Sequence, residues 1–168
     1  MLPPACLQLG ITPDLLAGRP LVLHEEVETL CCVFRADSGR EYLLTPEAAS
    51  AWHAMRDAAA GDGIVLHIVS AHRSIARQTE LIQKRLNAGE ALADILCLIA
   101  PPGFSEHHTG RAVDIGTPGC PPIDEAFADT SAFTWLQAHA GNFGFVLSYP
   151  RNNPQGFVYE PWHWCYQP

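Results

Sequence analysis

Ser105-Glu106-His107-His108-Thr109-Gly110-Arg111-Ala112-Val113-Asp114 is the stretch whose reading decides the fold. His107 and Asp114 lie seven residues apart. On one continuous helix they would share a face yet stand about 10 Å apart along the axis, too far for joint action. Gly110 between them predicts a turn instead, with a loop histidine brought back beside a strand carboxylate. Residues 112–115 read as that strand. Asp114 sits among Ala112, Val113 and Ile115, and a buried carboxylate in such company needs a partner, which a cation supplies.

Working outward, Glu160-Pro161-Trp162-His163-Trp164 offers a second imidazole. Two histidines and an aspartate are three good ligands for Zn²⁺, and three protein ligands leave a fourth position for water, the pattern of a catalytic site. His107, Asp114 and His163 are therefore expected to hold one Zn²⁺ per chain, with His108 as the alternative to His107. Glu160 and His163 would face opposite sides of a straight strand, but Pro161 predicts a bend. With that bend Glu160 becomes the spare carboxylate beside the ligands, placed as a general base. Trp162 and Trp164 are expected to flank the site and fix the ring of His163. His24, His53, His67, His72 and His139 read as ordinary core or surface histidines.

The remaining chain supplies helices and short strands. Residues 1–20, rich in Pro and Gly, read as an irregular lead-in, and residues 21–34 as one or two strands. A turn at 35–40 leads to a returning strand at 41–44. Thr45-Pro46 opens a helix that buries Ala48, Trp52, Met55 and Ala59 and ends at Gly61. Residues 64–69 read as a buried strand, with helices at 75–86, 91–99 and 130–139. Residues 145–148, 157–159 and 162–166 complete the strands. Without a regular strand–helix–strand rhythm, this is a single α+β domain over 1–168 with a mixed or mainly antiparallel sheet packed with helices.

Composition excludes several classes. With 48% hydrophobic and 17% charged residues the chain is globular rather than disordered. A net charge of −8 argues against a nucleic-acid binder. No stretch approaches the roughly 20 apolar residues of a membrane span. The amino-terminal residues have neither a basic region nor a long apolar run, so a cytoplasmic location is expected over a periplasmic one. The six cysteines form no Cys-x-x-Cys pair. Cys31-Cys32 reads as a buried pair of small hydrophobes, and a disulfide framework is possible but not needed at this size.

The full pattern, Ser-x-His-x-x-Gly-x-Ala-x-Asp followed by Glu-Pro-Trp-His, resembles the zinc D-alanyl-D-alanine carboxypeptidases of the VanY type, a group that includes LD-carboxypeptidases and D-Ala-D-Ala dipeptidases. The resemblance spans residues 43–166. Ser70-Ala71-His72-Arg73-Ser74 is similar to the family's Ser-Gly-Tyr-Arg-Ser, Gln78 follows where the family carries glutamine, and residues 101–107 match its Pro-Pro-Gly-x-Ser-Glu-His. The resemblance implies a Hedgehog/DD-peptidase-like fold, zinc on His107, Asp114 and His163, Glu160 as base and Arg73 on the substrate. A guanidinium fork suits a terminal carboxylate, with a role in oxyanion stabilisation as the alternative. Ser105 and Gln78 are candidates for hydrogen bonds to the peptide end, or else a turn cap and a solvated helix residue. The implied partner is a peptidoglycan stem peptide or its precursor. Three departures bear on substrate: His72 for Tyr before the arginine, Ser148 for Arg before Tyr149-Pro150, and Cys165 for Arg after Trp164. A cross-link endopeptidase, a D-Ala-D-Ala dipeptidase and a non-catalytic zinc-stabilised binding domain are the competing expectations.

Overall fold

The structure is a computed structural model and describes residues 2–168. Its centre is a four-stranded, wholly antiparallel sheet in the order β3 (His67–Ser70), β4 (Ala112–Gly116), β6 (His163–Tyr166), β5 (Phe145–Leu147). A separate hairpin pairs β1 (Cys31–Arg35) with β2 (Glu41–Leu44). The α+β expectation holds, and the sheet is antiparallel rather than mixed.

One face of the sheet carries the core. Val113 and Ile115 of β4, Trp164 of β6 and Phe145 of β5 pack against α2 (Pro46–Gly61) and α5 (Ser131–His139). Each helix starts where its sequence provides a cap. Thr45 Oγ1 accepts from the Ala48 N–H, with Pro46 in the first turn. Thr130 Oγ1 accepts from the Phe133 N–H at 3.1 Å. Trp135 Nε1 donates to Asp62 Oδ2 at 2.7 Å and ties α5 to the end of α2. The other face of β4 and β6 presents Asp114 and His163, which are register partners. Strand alternation thus separates core from chemistry within three residues.

A second cluster forms on α3 (Ile75–Asn87) and α4 (Leu92–Leu98), where Ile82, Ile95 and Leu96 bury against Cys6, Leu9 and Ile11. The latter three belong to the expected irregular lead-in. It instead holds a short helix, α1 (Pro4–Gln8), and a 3₁₀ turn, Pro13–Leu16. Pro at the first helical position nucleates α1, and its apolar residues are bound by tertiary packing that local composition does not announce.

Other boundaries shift for identifiable reasons. Of residues 21–34 only the end joins a strand. The His24 N–H bonds Gly103 O at 2.7 Å and the Val27 N–H bonds His108 O at 3.0 Å, so this segment runs beside the histidine loop rather than in a sheet. Residues 157–159 are not a strand either: Asn153 bonds both the N–H and the carbonyl of Phe157, at 3.1 and 2.8 Å, and closes a loop. Residues 64–66 stay outside β3. Cys31 and Cys32 are half-buried and exposed rather than core, and all six cysteines are free.

Gly110 ends the 3₁₀ turn Glu106–Thr109 with φ of 64°. A Cβ there would stand 2.8 Å from Leu30 Cδ2 and 3.0 Å from Val27 Cγ1. Gly110→Ala should therefore destabilise the fold by roughly 1–3 kcal/mol in chemical denaturation and weaken zinc binding, because the turn that carries His107 to Asp114 must shift.

Candidate active site

Three sequence-distant candidate ligands converge on the sheet. One side-chain atom from each of His107, Asp114 and His163 lies within 4.8 Å of the others, and all three residues are buried. His107 Nε2 stands 3.3 Å from Asp114 Oδ2, and His163 Nδ1 3.1 Å from Asp114 Oδ1. A tetrahedral metal with bonds of about 2.05 Å needs donor separations of about 3.3 Å; each histidine meets one Asp114 oxygen at about that distance, and the donor set has the chemistry such an ion takes.

The other ring nitrogens are bound in ways that aim these. His107 Nδ1 bonds the Ala71 carbonyl at 2.7 Å, which leaves Nε2 facing Asp114. His163 Nε2 bonds Glu106 Oε2 at 2.8 Å, which leaves Nδ1 facing Asp114. His108 is fully buried but turned elsewhere: its Nδ1 donates to Arg73 O at 2.7 Å and its Nε2 accepts from the Gly103 N–H at 3.1 Å. His107, not His108, therefore faces the site.

Charge makes the same demand as geometry. Asp114, Glu106 and Glu160 surround the two imidazoles, with Arg73 NH2 3.9 Å from Asp114 Oδ2. Burial opposes a charged ring at His163, yet its bonds to Asp114 and Glu106 outweigh that and push it up to about 10. Burial likewise opposes ionised Glu106, but the bond and charge of His163 bring it down to about 2. Burial pushes Glu160 up to about 7, against the pull of His163. So dense a set of buried carboxylates calls for positive charge, and a divalent cation supplies it.

Glu160 and His163 form a tight turn, with the His163 N–H on Glu160 O at 3.1 Å. The bend expected at Pro161 brings Glu160 Oε2 to 3.8 Å from His163 Nδ1, on the ligand side of the ring. Trp162 lines the cleft. Trp164 does not flank the site; it points into the core beside Phe133, because neighbouring strand residues face opposite ways. Tyr149 takes its place and stacks on His163 with ring centres 4.7 Å apart. Its carbonyl also accepts from the Glu160 N–H at 3.1 Å.

The ligands lie in a cleft of about 350 Å³ that also takes in Arg73, Gln78, Ser105 and Glu160. Arg73 donates to Gln78 Oε1 and Ser70 Oγ, each at 3.1 Å. Gln78 is fully buried, and its amide nitrogen donates to Ala100 O at 2.6 Å. It is a brace for Arg73 rather than a solvated helix residue. Ser105 is buried in this cleft and caps no backbone N–H.

Sequence reasoning missed Glu106 and Tyr149. A carboxylate directly before a ligand histidine was the available signal for Glu106, whose ring partner lies in another strand. Nothing in the spacing of Tyr149 signals its stacking.

The comparisons with known proteins point to one family. The model of the VanY family, described as D-alanyl-D-alanine carboxypeptidase, matches residues 41–168. The chain is 39% identical over 127 residues to YodJ of Bacillus subtilis, covering 73% of this chain and 46% of that protein. It is 31% identical over 154 residues to VanXYC of Enterococcus gallinarum, a bifunctional D-Ala-D-Ala dipeptidase and carboxypeptidase, covering 89% and 79% of the two chains. The chain thus spans less than half the length of YodJ. The LD-carboxypeptidase LdcB superposes with a TM-score of 0.75 at 33% identity, over 85% of this chain and 70% of its own.

Glu106→Ala should lower zinc affinity about 10–100-fold, as is usual when the partner of a ligand histidine is removed, while leaving the melting profile largely intact. Equilibrium competition with a chelator measures the first and calorimetry the second.

Proposed function

The chain belongs to the VanY family of D-alanyl-D-alanine carboxypeptidases, and we propose that it is a zinc-dependent carboxypeptidase that removes the C-terminal D-alanine of peptidoglycan stem peptides. The observation that carries this reading is the convergence of His107, Asp114 and His163 with Glu160 beside them and Arg73 in the same cleft.

His107 Nε2, an Asp114 carboxylate oxygen and His163 Nδ1 would hold one Zn²⁺ per chain. Bound there, zinc supplies Lewis acidity to the attacking water and the scissile carbonyl. Glu160 Oε2 takes the water's proton and hands it to the leaving amine. Its partly buried setting raises its basicity, which suits both tasks. Arg73 holds the terminal carboxylate through the N–H groups that Gln78 and Ser70 do not use. Ser105, on the cleft wall, donates its hydroxyl to the peptide end. Trp162 and Tyr149 exclude bulk water around the reacting bond.

A second reading, a cross-link endopeptidase, is favoured by one observation: a groove of about 720 Å³ lies on the far side of Arg73, where residues beyond the scissile bond could lie. Mass spectrometry of products from tri-, tetra- and pentapeptide stems and a defined cross-linked dimer separates the readings. Loss of a single alanine, abolished by chelator and restored by zinc, is expected. An internal cut with no alanine released would favour the endopeptidase.

Glu160→Ala should lower turnover by roughly 10²–10⁴-fold while zinc stoichiometry by metal analysis stays the same. Near-normal turnover would refute Glu160 as base. Arg73→Ala should cost most on stems with a free terminal carboxylate; an equal loss on the amidated peptide would remove Arg73 from carboxylate recognition.

A further inference from the structure

Among the described residues, every non-glycine with positive φ is either Asn152, a type that tolerates the left-handed region, or Ile123 at φ of 55°. A β-branched side chain is a poor occupant of that region. Pro122 and Ile123 form the middle of a turn, and a turn with Pro at its second position and positive φ at its third favours glycine there. The strain yields no core packing in return, since Ile123 is 51% exposed. Both ends of its loop are fixed: Thr117 Oγ1 donates to Val65 O at 2.8 Å, and Asp124 Oδ1 accepts from the Ala126 N–H at 2.8 Å.

The position of Ile123 explains what the strain accomplishes. The catalytic cleft and the groove beyond Arg73 share three residues, Arg73, Leu81 and Ile123. These form the neck between the two spaces. Leu81 is fixed on α3, whose opposite side packs into the second hydrophobic cluster through Ile82. Ile123 faces the neck from the loop after β4.

We infer that Ile123 is a specificity-determining residue, held in a strained turn so that its side chain and Leu81 bracket the leaving residue whose carboxylate sits on Arg73. The inference rests on the carboxypeptidase reading of the cleft and adds to it a physical filter. A methyl side chain passes between Leu81 and Ile123, whereas a longer one meets Ile123 before its carboxylate reaches Arg73. Past the neck the groove is open, with Arg40, Tyr42 and His72 on its walls. Size discrimination therefore resides at the neck and not in a closed pocket end.

The test uses the zinc-loaded full chain as wild type, Ile123→Gly and Ile123→Val, with pentapeptide stems ending in D-Ala or D-Leu. Wild type should prefer D-Ala in kcat/KM. Ile123→Gly should narrow that preference roughly tenfold, the scale on which an apolar contact discriminates a methylene or two. Ile123→Val should keep it. Ile123→Gly should melt at or above the wild-type temperature, because glycine accepts the positive φ without steric cost. An unchanged D-Ala to D-Leu ratio in Ile123→Gly would overturn the inference. So would a lowered melting temperature with equal losses on both stems, which would make Ile123 a purely structural residue. A wild type that releases neither terminal residue would overturn the carboxypeptidase reading and this role together, whereas wild-type turnover with an unaltered ratio in the glycine variant overturns the role of Ile123 alone.

Discussion

A clasp of three hydrogen bonds between residues 71–73 and 107–108, braced by a fourth inside the histidine loop, underlies everything the site does. His107 Nδ1 bonds Ala71 O, the Arg73 N–H bonds His107 O, His108 Nδ1 donates to Arg73 O, and the Gly103 N–H donates to His108 Nε2. Two buried imidazoles thus spend backbone-directed bonds on joining the end of β3 to the loop before β4. Buried polar groups must be satisfied, so neither segment can move without leaving several unpaired. The consequence is chemical: His107, a candidate ligand, has its tautomer fixed by the same contacts that hold the backbone of Arg73. Gly103 also lets the amino-terminal segment lie close against this loop, since a Cβ there would stand 2.8 Å from Pro3 Cγ.

Around this rigid frame the charges are arranged to conflict until a cation is bound. Asp114 is buried between two imidazoles, Glu106 anchors one of them from outside, and Glu160 is raised by burial. Replacing Glu160, the carboxylate that burial and its acidic neighbours raise, with an apolar group would relieve that conflict, whereas removing Asp114 would leave His163 without its buried partner, which is how a site differs from a core. Two departures from the family pattern, Ser148 and Cys165, stand beside Glu106: Ser148 helps lower it, and burial first, then the charge of Glu106, pushes the Cys165 thiol up. They amount to one change, with neutral groups beside the carboxylate that orients His163.

What could be read from sequence follows the range of the forces involved. The turn at Gly110, the bend at Pro161 and the cap at Thr45 are local, and each stands where its residues imply. The convergence of His107, Asp114 and His163 could be anticipated because metal donors are few and their chemistry narrow. Gln78 was legible as a polar residue near the site but not as the brace of Arg73, since that depends on how α3 leaves β3. Trp164 was misplaced because the strand starts at His163, so that alternation sends the tryptophan to the core. The interruption of residues 157–159 depends on Asn153, and the burial of residues 6–11 on α3 and α4; neither pattern shows in local periodicity.

The amino-terminal residues illustrate how far that non-local dependence extends. The family match begins at residue 41, yet Arg19 reaches the cleft wall. Its guanidinium donates to Gln155 O at 2.6 Å and Leu96 O at 3.0 Å and lies 4.6 Å from the centre of the Phe157 ring. Phe157 packs edge-on to Tyr149 at 4.8 Å, and Tyr149 stacks on His163 at 4.7 Å. A guanidinium over an aromatic face is attracted to it, and each ring in this series is held by the one before. Arg19 therefore fixes the wall of the cleft without touching its chemistry, while one of its nitrogens stays buried without a partner. A side chain that tolerates that cost is doing so for the contacts its other nitrogens make. Those contacts join α4, the 153–157 loop and the amino-terminal segment into a single support for the ring of His163.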